Sequence, residues 1–326
     1  MKFAISLFQS QTSGQSERTI YCQAIEQTKL AEALGFHAVW FTEQHFNDFG
    51  TCPDPLTFAA HMAGITKTIR LGSGVVLLSL HNPVVVVERA ALVDQLSEGR
   101  LDLGIGKGHA NINYSAFDLD FEKDEARFFE AHDLLKTAWS GEEFSYHGKF
   151  FGMEKIRIVP RPSQSPHPPL WVATFGNPSI IEFAAHNAYP LLTTFSGDGL
   201  KKYMDLYRSQ YSGTAAPTIS VSRAIHLHQN GDQARREMYE PARWYIDNNP
   251  GRPSRIINYE LAIDEYFNKL GIIGSVDECI ERIEYLRREH HVDYLVCVFG
   301  LGGLAPEKIM ASMRLFAEKV MPNFVE

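Results

Sequence analysis

The 326-residue chain holds only four cysteines, Cys22, Cys52, Cys279 and Cys297. They are too scattered for a disulfide framework or a zinc knuckle, and no two form a CxxC pair. Cys22 and Cys279 fall in helical patterns, which suits reduced thiols in a cytosolic protein. Basic runs are also missing. With Lys+Arg 31 against Asp+Glu 39 the net charge is -8, which argues against a nucleic-acid or anionic-membrane surface. Long apolar runs are missing too. The longest region, Val75 to Val87, is interrupted by Ser79, His81, Asn82 and Pro83, so no segment is expected to span a bilayer as a helix. The run Phe3–Phe8 is too short for a signal peptide and no small-residue cleavage site follows it. The expectation is a cytoplasmic protein. Its hydrophobic fraction of 44% is enough for a large core and argues against disorder.

Strand and helix patterns alternate along the chain. Strands are expected at 3–8, 37–43, 69–78, 101–106, 170–173, 190–195, 218–228 and 293–299, each followed by a helical period. Most are near-continuous apolar runs, as parallel strands buried on both faces require. Eight such units are the number a (β/α)8 TIM barrel needs, and a doubly wound sheet rarely takes eight in succession. Phe144–Val159, with turns at Gly148 and Gly152, reads as a small β-hairpin insertion after the fourth helix. Asp247–Gly274 has no clean period and reads as an irregular insertion near the eighth strand, long enough for a lid. No linker or internal repeat divides the chain, so residues 1–326 are taken as a single domain.

Chemistry gathers at the C-terminal ends of the strands, where ligands sit in parallel α/β folds. The second strand ends in Glu43-Gln44-His45: a carboxylate, an amide and an imidazole. The third carries Gly72 and Gly74 inside a β pattern, which signals a bulge or close backbone approach to something flat. The fourth runs into Gly104-Ile105-Gly106-Lys107-Gly108-His109. This GxGxG is not a dinucleotide fingerprint, because the polar and aromatic stretch 110–120 does not read as a helix start. Its glycines still expose backbone amides next to a cation, suited to a phosphate. The fifth ends in Thr174-Phe175-Gly176-Asn177, and Pro178 opens a helix whose free N–H groups can hold an anion. His226-Leu227-His228 is an HxH with no acidic residue beside it in its strand, so no metal is expected.

Taken together, these motifs resemble the bacterial luciferase-like family of flavin-dependent monooxygenases. The likeness runs from Met1-Lys2-Phe3 through Gly35-Phe36, Val39-Trp40, Glu43–Phe46, Phe49-Gly50, Leu71-Gly72 and His81–Val84. It is most specific in Asp94-Gln95-Leu96-Ser97-Glu98-Gly99-Arg100 and in the tail 311–322, with Gly274–Ile280 between them. The resemblance implies a barrel that binds reduced FMN from a separate flavin reductase, O2 attack at flavin C4a, a small organic substrate and a homodimer. It implies a cis peptide at Gly74-Val75 under the flavin ring and a phosphate contact at Lys107. Thr174, Phe175, Gly176 and Asn177 match the loop at the phosphate and ring edge. Thr194 and Phe195 match residues beside the ring.

Three departures from the family pattern stand out. The luciferase α-subunit has two consecutive histidines where this chain has Gln44-His45, and the catalytic one is the first. An amide cannot serve as a base, which leaves His45 to substitute or to brace the loop, with Glu43 beside it. A reactive Cys of the flavin pocket is Gly106 here. A second phosphate-binding Arg is replaced near Glu125, with Arg127 two residues on and Arg252 and Arg255 in the irregular segment. Phe8, Phe46, Phe175, Phe195 and Trp244 are candidates for an apolar wall. The rival readings are an F420-dependent oxidoreductase on the same barrel and a non-catalytic flavin-binding partner subunit.

Overall fold

The structure, a computed structural model, describes residues 1–12, 14–108, 110–249 and 259–324. It is an α/β fold around a curled, parallel, nine-stranded sheet. The strands of that sheet are β1 (Lys2–Leu7), β2 (Ala38–Phe41), β3 (Arg70–Leu77), β4 (Leu101–Gly106), β7 (Leu170–Ala173), β8 (Leu191–Leu192), β9 (Ser220–Leu227), β10 (Gly271–Gly274) and β11 (Tyr294–Val298). Their order is β10-β9-β11-β1-β2-β3-β4-β7-β8. The curl brings β8 back to β9: Leu191 bridges Ile219, and Ser222 N donates to Thr193 O at 2.7 Å. A separate antiparallel pair, β5 (Phe144–His147) and β6 (Gly152–Ile156), stands apart from the sheet.

Helices α1 (Glu17–Ala33), α2 (Pro55–Ala63), α3 (Pro83–Leu96), α4 (Asn111–Ala116), α5 (Asp124–Ser140) and α6 (Pro178–His186) lie in the first part of the chain. They are followed by α7 (Gly197–Gln210), α8 (Gly231–Asn248), α9 (Tyr259–Glu265), α10 (Val276–His290) and α11 (Pro306–Leu315). Three of them start on an Asx-Pro pair. Asp54, Asn82 and Asn177 each cap a backbone N–H of the first turn, and the following proline takes a position where no N–H is needed. These caps fix the points where the chain leaves the strand ends and turns into the helix layer.

The core has two compartments. The larger lies between sheet and helices and joins residues from Phe3 to Phe324. The smaller lies inside the curl and consists of Ala4, Ala38, Trp40, Trp171, Tyr294 and Val296. Trp40 meets Trp171 edge-on at 5.2 Å, and its indole N–H donates to Tyr294 Oη at 3.2 Å. Gly72 makes this plug possible, because a Cβ there would lie 2.2 Å from the Trp40 ring. The plug closes the inside of the curl and sets the floor of the space above it.

Two local expectations need correction. The stretch after Gly108 does contain a short helix, α4, held by Tyr114, whose hydroxyl bonds the carbonyl of Lys107. The irregular segment 247–274 is partly regular: α9 lies in it, and β10 pairs with residues 224–227 of β9. Four residues, two of them glycine, are too short a run to read as a strand. Residues 250–258 of that segment, with Arg252 and Arg255, lie outside the described residues, as does His109.

Candidate flavin site

A cavity of about 360 Å³ opens at the C-terminal ends of the strands, above the Trp40 floor. Ser6, Trp40, Ser222 and Val296 line its base. Gly74, Val75, Leu77, Gly106 and Gly108 also line it, as do Thr174, Phe175, Asn177 and Thr194 from the loops after β7 and β8. The Gly74-Val75 peptide is cis, as the resemblance implied. Gly106 keeps this part of the lining flat, since a Cβ there would approach Val75 Cγ2 to 2.9 Å. A lining of glycine backbone and Val75 fits the face of a planar ring system.

The acid, amide and imidazole of the second strand end split between two environments. Glu43 and Gln44 line the cavity, whereas His45 does not. Glu43 Oε1 takes hydrogen bonds from His45 Nε2 at 2.8 Å and from His81 Nε2 at 2.7 Å, and its Oε2 accepts from Leu77 N at 2.9 Å. Burial pushes the Glu43 carboxyl up, but the His45 and His81 hydrogen bonds, the His81 charge and the Leu77 N–H outweigh it, so it sits below the ordinary range. Burial pulls the His81 imidazole down, and the bond and charge of Glu43 more than reverse that, leaving it raised. An ionised carboxylate only accepts, so both imidazoles present an Nε2–H to it. These three side chains have ligand atoms within 4.8 Å of one another, a spacing that could also hold a metal ion. Their mutual hydrogen bonds give each a partner without one.

At the far end, Lys107 lines the cavity and pairs with Asp124 at the start of α5. Asn177 Oδ1 caps Ser179 N at 3.0 Å, and Thr174 Oγ1 accepts from Asn177 N at 3.2 Å. Gly176 has φ +98° and passes close to the Tyr203 ring, where a Cβ would come within 2.9 Å. Phe195 and Gly176 are not part of the lining. Of the aromatic wall residues, Phe8 and Phe175 do line the cavity. Phe46 is 59% exposed and leans on Phe117, and Trp244 stacks on Phe49. Sequence reasoning passed over Ser6, Asn113 and Ser222 as lining residues, and His81 as the third member of the Glu43 group. The signals for His81 were its place in the His81–Val84 match and just ahead of the Asn82-Pro83 cap.

The HxH pair does not come together on a ligand. His226 Nε2 meets Glu237 Oε2 of α8 at 2.8 Å, and His228 accepts a backbone bond from Asn230. All four cysteines are free thiols, with Cys22 exposed and the others buried. Among the described residues, no helix is long and apolar enough to cross a membrane.

The chain belongs to the luciferase-like monooxygenase family, whose model matches residues 1–293. It is a flavin-dependent monooxygenase. The oxygenase component of a flavin-dependent trigonelline monooxygenase from Acinetobacter baylyi is 26% identical over 100% of this chain and 96% of that protein. The crystal structure of monooxygenase RslO1 from Streptomyces bottropensis superposes with a TM-score of 0.91, at 27% identity and full coverage of both chains. The oxygenating constituent of 3,6-diketocamphane monooxygenase from Pseudomonas putida, solved with FMN, gives 0.86 at 19% identity over 100% of this chain and 99% of that one.

Proposed function

We propose that this chain is the oxygenase component of a two-component system that takes reduced FMN from a separate reductase and oxygenates a small organic substrate with O2. The observation that carries this reading is the flat-walled cavity bounded by Gly74, Val75 and Gly106, with Gln44 at one side and Lys107 at the far end. A relative described as an oxygenase component supports the separate reductase, and an FMN complex on the same fold supports FMN. We read the ring formed by β1, β2, β3, β4, β7, β8, β9 and β11 as a (β/α)8 barrel, with residues 1–326 acting as one domain in the cytoplasm.

Reduced flavin, when bound, supplies the electrons that activate O2. The chain's own part is positioning and the exclusion of water. Trp40, Val75 and Val296 give the ring a dry bed. The Gln44 amide, which lines the cavity, donates and accepts hydrogen bonds beside the ring and carries no proton to give. Glu43 stays ionised and is not a general acid. It fixes the strand end by holding His45 and His81, so His45 acts through Glu43. Lys107, Thr174, Phe175 and Asn177 surround the flavin tail and Thr194 the ring edge, while Gly176 and Phe195 support them from behind the lining. Val85, Leu92 and Leu96 form an exposed apolar stripe on α3, which supports a homodimer.

An anaerobic titration separates this reading from an F420-dependent one. Reduced FMN is expected to bind and reduced F420 is not. Binding of F420 alone would transfer the chain to the hydride-transfer class. Product formed with FMN and a reductase would exclude a non-catalytic partner subunit.

A further inference from the structure

Two residues that line the cavity, Lys107 and Asn177, are held by acidic side chains that do not themselves line it. Both acids come from the first turn of helix α5, Asp124-Glu125. Asp124 is paired with Lys107. The Glu125 carboxylate bridges the start of α6: Oε2 accepts from Asn177 Nδ2 at 2.7 Å and Oε1 from Ser179 Oγ at 2.8 Å. The next cation on α5 is committed elsewhere. Arg127 Nε donates to Ser79 O at 2.8 Å, and its guanidinium lies 4.5 Å from the centre of the Phe151 ring. Among the described residues, Lys107 is the only Lys or Arg that lines the cavity.

A phosphate monoester brings roughly −1.5 to −2 charges at neutral pH. To seat here it would have to draw Lys107 from Asp124 and displace a carboxylate from the Asn177 and Ser179 side chains. Two carboxylates then lie directly behind its partners, against one cation. A neutral polyol meets no such opposition, because its hydroxyls can donate to those carboxylates.

We propose that Glu125 is a specificity-determining residue for the flavin tail. It is an internal carboxylate that occupies the donors a phosphate would use. The chain therefore recognises reduced flavin through its ring and polyol and scarcely distinguishes FMN from riboflavin. This rests on the flavin reading above and refines it: the terminal phosphate of FMN adds little to its binding.

The test is an anaerobic equilibrium titration with reduced FMN and reduced riboflavin. In the wild type the two dissociation constants are expected to agree within about fivefold. Glu125→Gln is expected to tighten FMN about tenfold while moving riboflavin less than about twofold, as removal of one opposing charge requires. FMN binding more than about fivefold tighter than riboflavin in the wild type would overturn the proposal, with no variant needed. A Glu125→Gln protein that shifts both flavins by the same factor would overturn it too. If neither flavin binds the wild type, the flavin reading itself falls along with this one.

Discussion

Glu43 Oε1 lies 2.8 Å from His45 Nε2 and 2.7 Å from His81 Nε2, so one carboxylate oxygen holds two imidazoles. That arrangement separates neighbours in sequence. Gln44 lines the cavity, while His45 is tied to Glu43 behind it.

Replacing His45 therefore acts on the support of the site. His45→Ala removes one donor from a buried carboxylate and is expected to cost about 1–3 kcal/mol of stability. Denaturant unfolding checks this. Gln44→Ala should leave stability nearly unchanged and lower the product formed per reduced flavin consumed, with hydrogen peroxide released instead. Equal losses of stability in the two variants would remove the distinction.

The same cluster predicts a pH dependence. The lowered Glu43 pKa gives stability that is present above its unfolded value near 4.5 and lost as pH falls through the folded one. The raised His81 pKa gives stability that is present below its unfolded value of 6.5 and lost as pH rises through the folded one. The pair should contribute most between those two values. The difference in melting temperature between wild type and His81→Gln should be largest there and shrink above pH 6.5. A difference that grows with rising pH would contradict the assignment.

Gly104 and Gly106 sit two residues apart on β4 and should fail differently. A Cβ at Gly104 would lie 2.1 Å from Ser73 O, a backbone atom with no room to move. Gly104→Ala is expected to destabilise the fold by about 1–3 kcal/mol or more, the usual range for overpacking. At Gly106 the nearest neighbour is a methyl of Val75 at the cavity wall. Gly106→Val should fold and lose flavin affinity, read by melting temperature alongside flavin titration.

Lys107→Glu leaves Asp124 without its partner at the far end of the cavity. It puts a further negative charge there and should weaken FMN more than riboflavin, by repulsion of the phosphate and not by loss of a contact that binds it. Equal effects on the two flavins would remove Lys107 from the tail end of the site.

Much of this architecture was legible in the chain. The apolar runs marked each strand of the ring because strands covered on both faces leave a continuous signal. Pro178 marked a helix start because the preference for proline in a helix's first turn is local chemistry. What stayed hidden depends on pairing across the fold. Nothing near Glu43 in sequence reveals that His81 reaches it, or that Asp124 takes Lys107. Gly271–Gly274 is a strand only because β9 offers it an edge. Phe46, with φ +58°, turns outward at a point where strand alternation alone would have sent its ring to the cavity.

The most direct test of the central claim is rapid mixing of the protein with reduced FMN in anaerobic buffer against buffer containing O2, followed by flavin absorbance. A cavity that sequesters the ring from water should make flavin reoxidation depend on the protein, at a rate clearly different from that of free reduced FMN. Gly106→Val should return it to the free rate. Reoxidation at the free-flavin rate with saturating wild-type protein would contradict the account.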